Sequence, residues 1–463
     1  MNRPARNARW TLVALLTALA LLLAACGGAP AAQPTTAPAE PPTSAPAAEQ
    51  PTAAPAEPTA AAEPTAADAQ PTAAPAAEGD EIVVGMMTDA SGLLAIYGPM
   101  LERGFELGLD YATDGTGQVA GSPIRVVVKD TASNPETGVS LAREAIESDG
   151  AQVLVGSPSS PVALAIAGVA AENEVVYISA PAATPALTGE NFSPYVFRAG
   201  RTSGQDALTM GAALMEIGTN FVQISQDNAF GRGSAAAFYN TVKGLGGSFV
   251  INDTEEGAGS VFAPPETTDF TPYINQILDS GAEVLIVTWS GTGFVPMFQQ
   301  MQQLGVFDAL TVATGFGDNQ TMTQGYADAE GSVGVSVYHY SLFDNEVNSW
   351  LVEQHQERFG TPPDLFTESG FNAAIMLVQA LEATGGDPAA EGLIAALEGM
   401  TFEGPKGSYT VRPEDHVLLQ PMTLVRLTDT SAPNFEFFEL VTRYEPEETA
   451  PPCAVPAELD RCE

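Results

Sequence analysis

From residue 81 onward, short apolar runs alternate with stretches whose apolar residues recur at helical spacing. Ile82–Met87 is the first such run, and Tyr97–Tyr111 is the helical stretch that follows it. Ile124–Val128 precedes a predicted helix over Glu136–Ser148. Val153–Gly156 precedes one over Pro161–Glu172, and Val175–Ser179 closes the series. Runs this short and this rich in Val and Ile fit strands of a parallel sheet covered on both faces, and their alternation with helices marks βαβ units. The pattern then restarts. A predicted helix over Ser203–Ile217 leads to a strand over Phe221–Ser225, a helix over Phe230–Leu245 and a strand over Ser248–Ile251. Helix Asp269–Leu278, strand Glu283–Thr288, helix Phe294–Leu304 and strands Leu310–Ala313 and Ser332–Val337 come next. Helices over Val347–Phe359 and Glu368–Ala383 precede a tail in which Met422–Leu427 and Phe435–Leu440 read as strands with no helix between them. The expected class is α/β, with two Rossmann-like parallel-sheet lobes of similar size and a mixed end. Open parallel sheets bind ligands beyond the carboxyl ends of their strands. Two such sheets facing each other would hold a site in the cleft between them.

Ahead of residue 81 the pattern is different. Arg3, Arg6 and Arg9 give a basic start, Trp10 to Ala25 is almost wholly apolar, and the stretch ends in Leu23-Ala24-Ala25-Cys26. A basic segment, a short apolar segment and small residues before a cut are the marks of an export signal. The last four residues resemble the bacterial lipobox, which implies that Cys26 is lipidated and heads the mature chain; an ordinary signal peptide with a chance cysteine, or an uncleaved helix, is the alternative. From Gly27 to Gly79 the chain is built mainly from Ala, Pro, Thr and Glu in near-repeats. That composition buries no core, and its prolines favour an extended spacer of about 3.1 Å per residue. No apolar run after the N-terminal segment is long enough to span a membrane.

Charge narrows the partners. The chain carries a formal net charge of −40, and its only lysines are Lys129, Lys243 and Lys406. Such a surface repels phosphate backbones and offers no basic patch to anionic lipid, which excludes nucleic acid as a partner. The acidity itself reads as solubility. Cys453 and Cys462, with eight residues between them near the C-terminus, can form a disulfide outside the cytoplasm, with two free thiols as the alternative. Two cysteines are too few for a zinc site.

Catalytic and cofactor motifs are missing. The histidines are His339, His355 and His416, with no partner at metal-ligand spacing. No nucleophile elbow and no phosphate loop occurs, and Gly115-Thr116-Gly117 sits in a polar loop rather than at a strand-to-helix junction. No enzyme, metal or cofactor is therefore expected. Small hydroxyl residues at strand ends stand out instead. Gly156-Ser157-Pro158-Ser159-Ser160-Pro161 falls where a strand gives way to a helix. Serine there caps the helix, or offers hydroxyl and N–H groups to an anionic ligand group. Ser179-Ala180-Pro181-Ala182-Ala183-Thr184-Pro185 follows the next strand, with small residues that let a ligand approach the backbone and with the Thr184 hydroxyl and N–H.

The order and spacing of six segments carry a resemblance. They are Gly92–Gly98, Gly156–Pro161 running into Ala163-Leu164-Ala165, Ile178–Thr188, Tyr195–Arg198, Asp227–Gly231 and Thr268-Asp269-Phe270. Over most of Glu81–Leu440 the chain resembles the branched-chain amino-acid (Leu/Ile/Val) binding family of ABC-transporter solute receptors, which has the type I periplasmic-binding fold. The resemblance implies two lobes joined by a three-segment hinge, with crossings near Gly200, Tyr338–Ser341 and Gly404–Gly407. The expected organisation is a signal peptide over 1–25 and a lipidated cysteine with a disordered linker over 26–80. Lobe 1 is expected over 81–199 and 340–405, lobe 2 over 200–339 and 406–445, and a tail with the disulfide over 446–463. It also implies that Ser160, Ala182 and Thr184, with Ser159 beside them, hold a ligand carboxylate. Tyr97 would line the mouth, and Phe230, where the family usually has Tyr, would close from the second lobe. Trp289 and Ser290 lie at a strand end where the family places another aromatic. The acid that receives a ligand ammonium in the family falls near Thr314, with Asp318 the nearest carboxylate, and that departure puts amino-acid specificity in doubt. The implied function is capture of a small carboxylate-bearing solute, an amino acid or related organic acid, by a monomer held by lipid on the outer face of the cytoplasmic membrane. The solute would pass to ABC-transporter permease subunits. A ligand-sensing subunit of the same fold is the alternative from another class, and an extracellular hydrolase is disfavoured by the missing motifs.

Overall fold

The computed structural model describes residues 79–462. The predicted export segment, Cys26 and the spacer up to residue 78 lie outside the described residues. Seventeen strands and twelve helices follow in chain order, starting with β1 (Ile82–Thr88), α1 (Gly98–Ala112), β2 (Gln118–Val119), β3 (Ser122–Asp130) and α2 (Pro135–Glu147). Next come β4 (Val153–Gly156), α3 (Ser160–Glu172), β5 (Val176–Ser179) and β6 (Val196–Arg198). The second series is α4 (Ser203–Ile217), β7 (Asn220–Gln226), α5 (Ala229–Gly244), β8 (Ser248–Phe249), β9 (Ser260–Ala263), α6 (Thr271–Leu278) and β10 (Val284–Thr288). It continues through α7 (Phe294–Gln303), α8 (Val306–Ala309), β11 (Thr311–Thr314), α9 (Asn319–Gly325) and β12 (Val333–Ser336). The chain then runs through α10 (Glu346–Phe359), α11 (Thr367–Ala383), α12 (Ala390–Leu397), β13 (Thr401–Gly404), β14 (Gly407–Val411), β15 (Leu418–Leu419), β16 (Met422–Leu427) and β17 (Phe438–Tyr444).

The first sheet has the order β2-β3-β1-β4-β5-β6, parallel throughout except for the β2–β3 edge. The second has the order β11-β10-β7-β8, with β9 also paired to β7, all parallel. β12, β16 and β17 form an antiparallel ribbon that meets the second sheet through a bridge from Val335 to Gly315. The runs read as doubly covered strands are buried along their whole length in β1, β4, β5 and β10.

Each sheet has its own core. Val84, Met86, Phe105, Val155, Ile178 and Phe197 pack with Leu351, Phe371 and Leu377 of the later helices. Val222, Ile224, Phe270, Leu285, Phe298 and Tyr326 pack with Val425 and Phe437. The return of α11 to the first sheet depends on close backbone approach, since a Cβ on Gly104 or Gly370 would collide with the carbonyl oxygens of Thr367 and Leu101.

The chain crosses between sheets after β6, after β12 and after β15. The last crossing corrects the expectation that 406–445 belongs to the second lobe with a hinge near Gly404–Gly407. Phe402, Tyr409, Val411 and Leu418 sit in the first core, so β13, β14 and β15 belong there and the crossing falls at Gln420–Pro421. Strands of two to five residues separated by turns carry no readable periodicity, which is why this hairpin and β9 escaped the pattern.

Lys406, expected at a flexible hinge, is instead fully buried. Its Nζ donates to Val337 O at 3.0 Å and Gln420 Oε1 at 2.5 Å, and lies 3.7 Å from Glu368 Oε1. Glu368 Oε1 accepts from Asn372 and from Tyr409, each at 2.7 Å, and Asn372 reaches Ala199 O at 3.5 Å. One buried cation and its counter-ion thus tie together all three crossing segments. Burial pushes the Lys406 ammonium down and the Glu368 carboxylate pulls it back up. Cys453 and Cys462 are disulfide-bonded, with Cα atoms 5.6 Å apart. Among the described residues no helix is long and apolar enough to cross a membrane.

Candidate functional site

A cavity of about 300 Å³ lies where the carboxyl ends of the two sheets face each other. The cleft is bridged at its mouth. Gly291 N donates to the Tyr97 hydroxyl at 3.2 Å, and Thr292 N donates to Leu93 O at 3.2 Å. Gly291 adopts φ 74°, and a side chain there would run into Leu93 O, so glycine is what permits this contact. On the far side, Asn319 N donates to Asp364 Oδ1 at 3.0 Å.

The first-sheet wall is polar. β4 ends at Gly156 and α3 starts at Ser160, with Ser159 at the N-cap position. The Ser159 side chain makes no capping bond, although it is 4% exposed and lines the cavity. The N–H groups of Ser160 and Val162 have no partner within the helix, as the first turn of any helix leaves its donors open. Ser160 Oγ accepts from Thr184 N at 3.2 Å, which leaves the Ser160 hydroxyl proton for another acceptor.

Thr184 and Ala182 are placed differently from the expectation. Pro181 and Ala183 line the cavity; Ala182 and Thr184 do not. The cause is Arg198, a fully buried guanidinium at the end of β6. It donates to Ala182 O at 2.7 Å, to Thr184 O and to Thr188 Oγ1 at 2.9 Å, which draws residues 182 and 184 behind the wall. Burial brings the Arg198 guanidinium down to about 9, with nearby Arg201 adding to the effect.

Two charged residues that sequence reasoning missed stand where the first crossing leads from this wall to the second lobe. Arg201, on the first crossing, is 7% exposed and lines the cavity with Asp206 of α4. Arg201 Nε lies 3.3 Å from Asp206 Oδ2, and its Nη1 reaches Pro181 O at 3.3 Å. Burial pushes the Asp206 carboxyl above its ordinary range, against the pull of Arg201. Both lie in a segment that reads simply as a hinge followed by the start of a helix, and nothing in its local pattern marks a cleft.

The second-sheet wall is aromatic. Phe230 sits in the first turn of α5, whose N-cap Asn228 accepts from Gly231 N at 3.0 Å. Trp289 follows β10 and packs edge-on against Phe270, with ring centroids 5.0 Å apart. Phe294, Phe316 and Tyr326 continue the wall, and Phe366 meets Tyr97 edge-on from the first-sheet side at 4.8 Å. Ser290 donates to Gln226 Oε1 at 3.0 Å and accepts from Gln226 Nε2 at 2.9 Å, so the two satisfy each other. Thr314 lines the cavity, with its hydroxyl donated to Gly315 O at 3.0 Å.

Asp318 does not reach the cavity. Fully buried, it caps α9, accepting from Thr321 N at 2.9 Å and Thr321 Oγ1 at 2.7 Å. With Asp364 it lines a separate cavity of about 420 Å³. A helix start consumes both of its oxygens, and this removes it as a receiver for a ligand ammonium.

The sequence profile of the family described as "Periplasmic binding protein" matches residues 81–432. Leu/Ile/Val-binding protein homolog 6 of Brucella melitensis biotype 1 is 27% identical over 358 residues, covering 75% of this chain and 88% of that one. The crystal structure of an ABC-type branched-chain amino acid transporter protein from Rhodopseudomonas palustris CGA009 is 32% identical. It covers 81% of this chain and all of its own, with a TM-score of 0.67. A solute-binding protein of an ABC transporter from Rhodopseudomonas palustris BisB5, solved with 3,4-dihydroxybenzoic acid, is 24% identical. It covers 79% of this chain and 97% of its own, with a TM-score of 0.67, a likeness of fold.

Proposed function

Because the chain belongs to the periplasmic binding protein family, we propose that it is the substrate-binding component of an ABC transporter, which captures a small carboxylate-bearing solute and delivers it to the permease. The cavity between the two sheets carries this reading. Three crossings join the sheets, so one can rotate against the other, and the contacts of Tyr97 and Leu93 with Gly291 and Thr292 close the mouth. A solute favours closure only through contacts it makes in the closed state and lacks in the open one. Here those contacts join the two walls.

Ser159, Ser160 and the open N–H groups of α3 form the pole that receives the carboxylate. Tyr97, Phe230 and Trp289 enclose the rest of the solute, with Ser290 and Thr314 at the strand ends. Ala182 and Thr184 shape the pole from behind. The role is binding, with no bond made or broken. The protein works outside the cytoplasm as a monomer, tethered through a lipidated Cys26 and the spacer that follows.

Two measurements test the reading. Mass spectrometry of small molecules released from the purified protein should find a carboxylate at near-stoichiometric amount, and titration of that compound should raise the unfolding temperature. A folded protein that carries only neutral or basic compounds would refute the carboxylate pole. Replacing Cys26 with Ser should release the protein from membranes into the soluble fraction. Retention like that of the wild type would overturn the anchor.

A further inference from the structure

We propose that Arg201 supplies the positive charge that a solute carboxylate meets in this cavity, and that the solute carries no amine. The inference rests on the binding reading above and narrows the class of solute.

The charged groups lining the cavity are few. Among the described residues they are Arg201, Asp206 and Glu266, and Glu266 is exposed. Arg201 is therefore the cation of the wall. Its polar contacts are weak. Nε approaches Asp206 at 3.3 to 3.4 Å and Nη1 meets Pro181 O at 3.3 Å, while Nη2 donates to no described residue. A guanidinium so nearly buried with a free terminal nitrogen is incompletely satisfied, and a carboxylate is the group that completes its fork.

Arg201 adjoins the α3 pole. Ser160 Oγ holds Thr184 N, Arg201 holds Pro181 O, and Ser203 N holds Ala183 O at 2.9 Å. The serine pole and the guanidinium thus flank one short segment, with the unpartnered Ser159 hydroxyl beside them. Asp206 is a weak rival for the cation, because burial already disfavours its charge.

An ammonium finds no comparable place. Asp318 is spent on α9, the Gln226 side chain is spent on Ser290, and Asp206 stands against Arg201. A buried ammonium needs an acceptor of its own. Eight aromatic rings line the remaining walls, among them Tyr97, Phe230, Trp289 and Phe366, and they suit a flat or branched apolar body. Because Arg201 lies on the first crossing, a carboxylate that engages it also touches the segment about which the sheets rotate.

The test is calorimetry on the purified full chain with matched pairs: phenylalanine and 3-phenylpropanoate, leucine and 4-methylpentanoate, benzoate and benzamide. The amine-free carboxylates should bind at least about tenfold tighter than their amino acids and than the amide. Arg201→Gln should weaken them at least about tenfold, Arg201→Lys should restore part of the loss, and Asp206→Asn should keep or tighten binding. Circular dichroism checks the fold of each variant, and Asp206→Asn remains decisive if Arg201→Gln does not fold. Tighter binding of the amino acids, with loss on Asp206→Asn, would make Asp206 the ammonium receiver and overturn the proposal. Carboxylate binding untouched by Arg201→Gln would overturn the role of Arg201 alone. Equal binding of benzamide and benzoate, or no binding by any member, would overturn the carboxylate reading itself.

Discussion

The two walls of the cavity are made differently, and the difference separates recognition from stability. The first-sheet wall presents Ser159, Ser160, Pro181, Ala183 and Arg201, groups that cluster where strands end and helices begin. Ser159, Ser160 and Arg201 stand outside the hydrophobic cores. The second-sheet wall presents Trp289, Phe294, Phe316 and Tyr326, and all four belong to the core of the second sheet. The same rings that face the solute hold that lobe together. Change on the polar wall therefore alters what is bound, whereas change on the aromatic wall also alters whether the lobe folds.

The most damaging way to probe this contrast is Phe294→Ala. Phe294 is 5% exposed and stacks on Phe298 and Tyr326 at 4.3 and 5.1 Å. Its loss should lower the unfolding free energy by about 3–5 kcal/mol, read by denaturant titration, and should weaken solute binding as well. An unchanged midpoint would show that the aromatic wall is a lining and not part of the core.

The seam between the walls is where pH should act on stability. Burial, with Asp318 beside it, pushes the Asp364 carboxyl up to about 7 from an unfolded value of 3.8. The folded state then holds more protons than the unfolded state between these values, so the contribution to stability is full below pH 3.8 and is lost as pH rises to 7. The slope is at most about 1.4 kcal/mol per pH unit. His339 works in the opposite sense. Burial brings it from 6.5 to about 4, so its contribution is full above pH 6.5 and lost as pH falls to 4. The difference in unfolding free energy between the wild type and Asp364→Asn isolates the first slope. A difference that stays constant from pH 4.5 to 7.5 would refute it.

Ser159→Ala tests the polar wall by itself. The hydroxyl makes no capping bond, so stability should stay within about 0.5 kcal/mol. Carboxylate affinity should nevertheless fall by roughly ten- to a hundredfold, the weight of a hydrogen bond to a charged group. A loss of stability as large as the loss of affinity would erase the distinction between the walls.

The smallest effect expected is that of Phe230→Tyr, which adds a hydroxyl to a half-buried ring in the first turn of α5. Affinity should change by less than about threefold and the melting temperature hardly at all. A gain beyond tenfold would show that the cavity lacks a donor at that position.

Much of this protein was legible along the chain. Continuous Val and Ile runs such as Ile82–Met87 and Glu283–Thr288 identify buried parallel strands, because a strand covered on both faces has no polar side to alternate with. The Ser159-Ser160-Pro161 junction identifies a helix start at a strand end, since Pro fits the first turn and the serines precede it. These are local matters of backbone geometry and periodicity, and residues near in sequence decide them. The tertiary structure decided the rest. Thr184 leaves the cavity because Arg198, fourteen residues on, takes its carbonyl. Asp318 is lost to the ligand because α9 begins beside it. Arg201 and Asp206 enter the site because the first crossing runs along the cleft. Lys406 is buried because Val337, Glu368 and Gln420 converge on it from three segments of the chain. Hydrogen bonds and ion pairs of this kind depend on distance in space, and no spacing along the sequence encodes it.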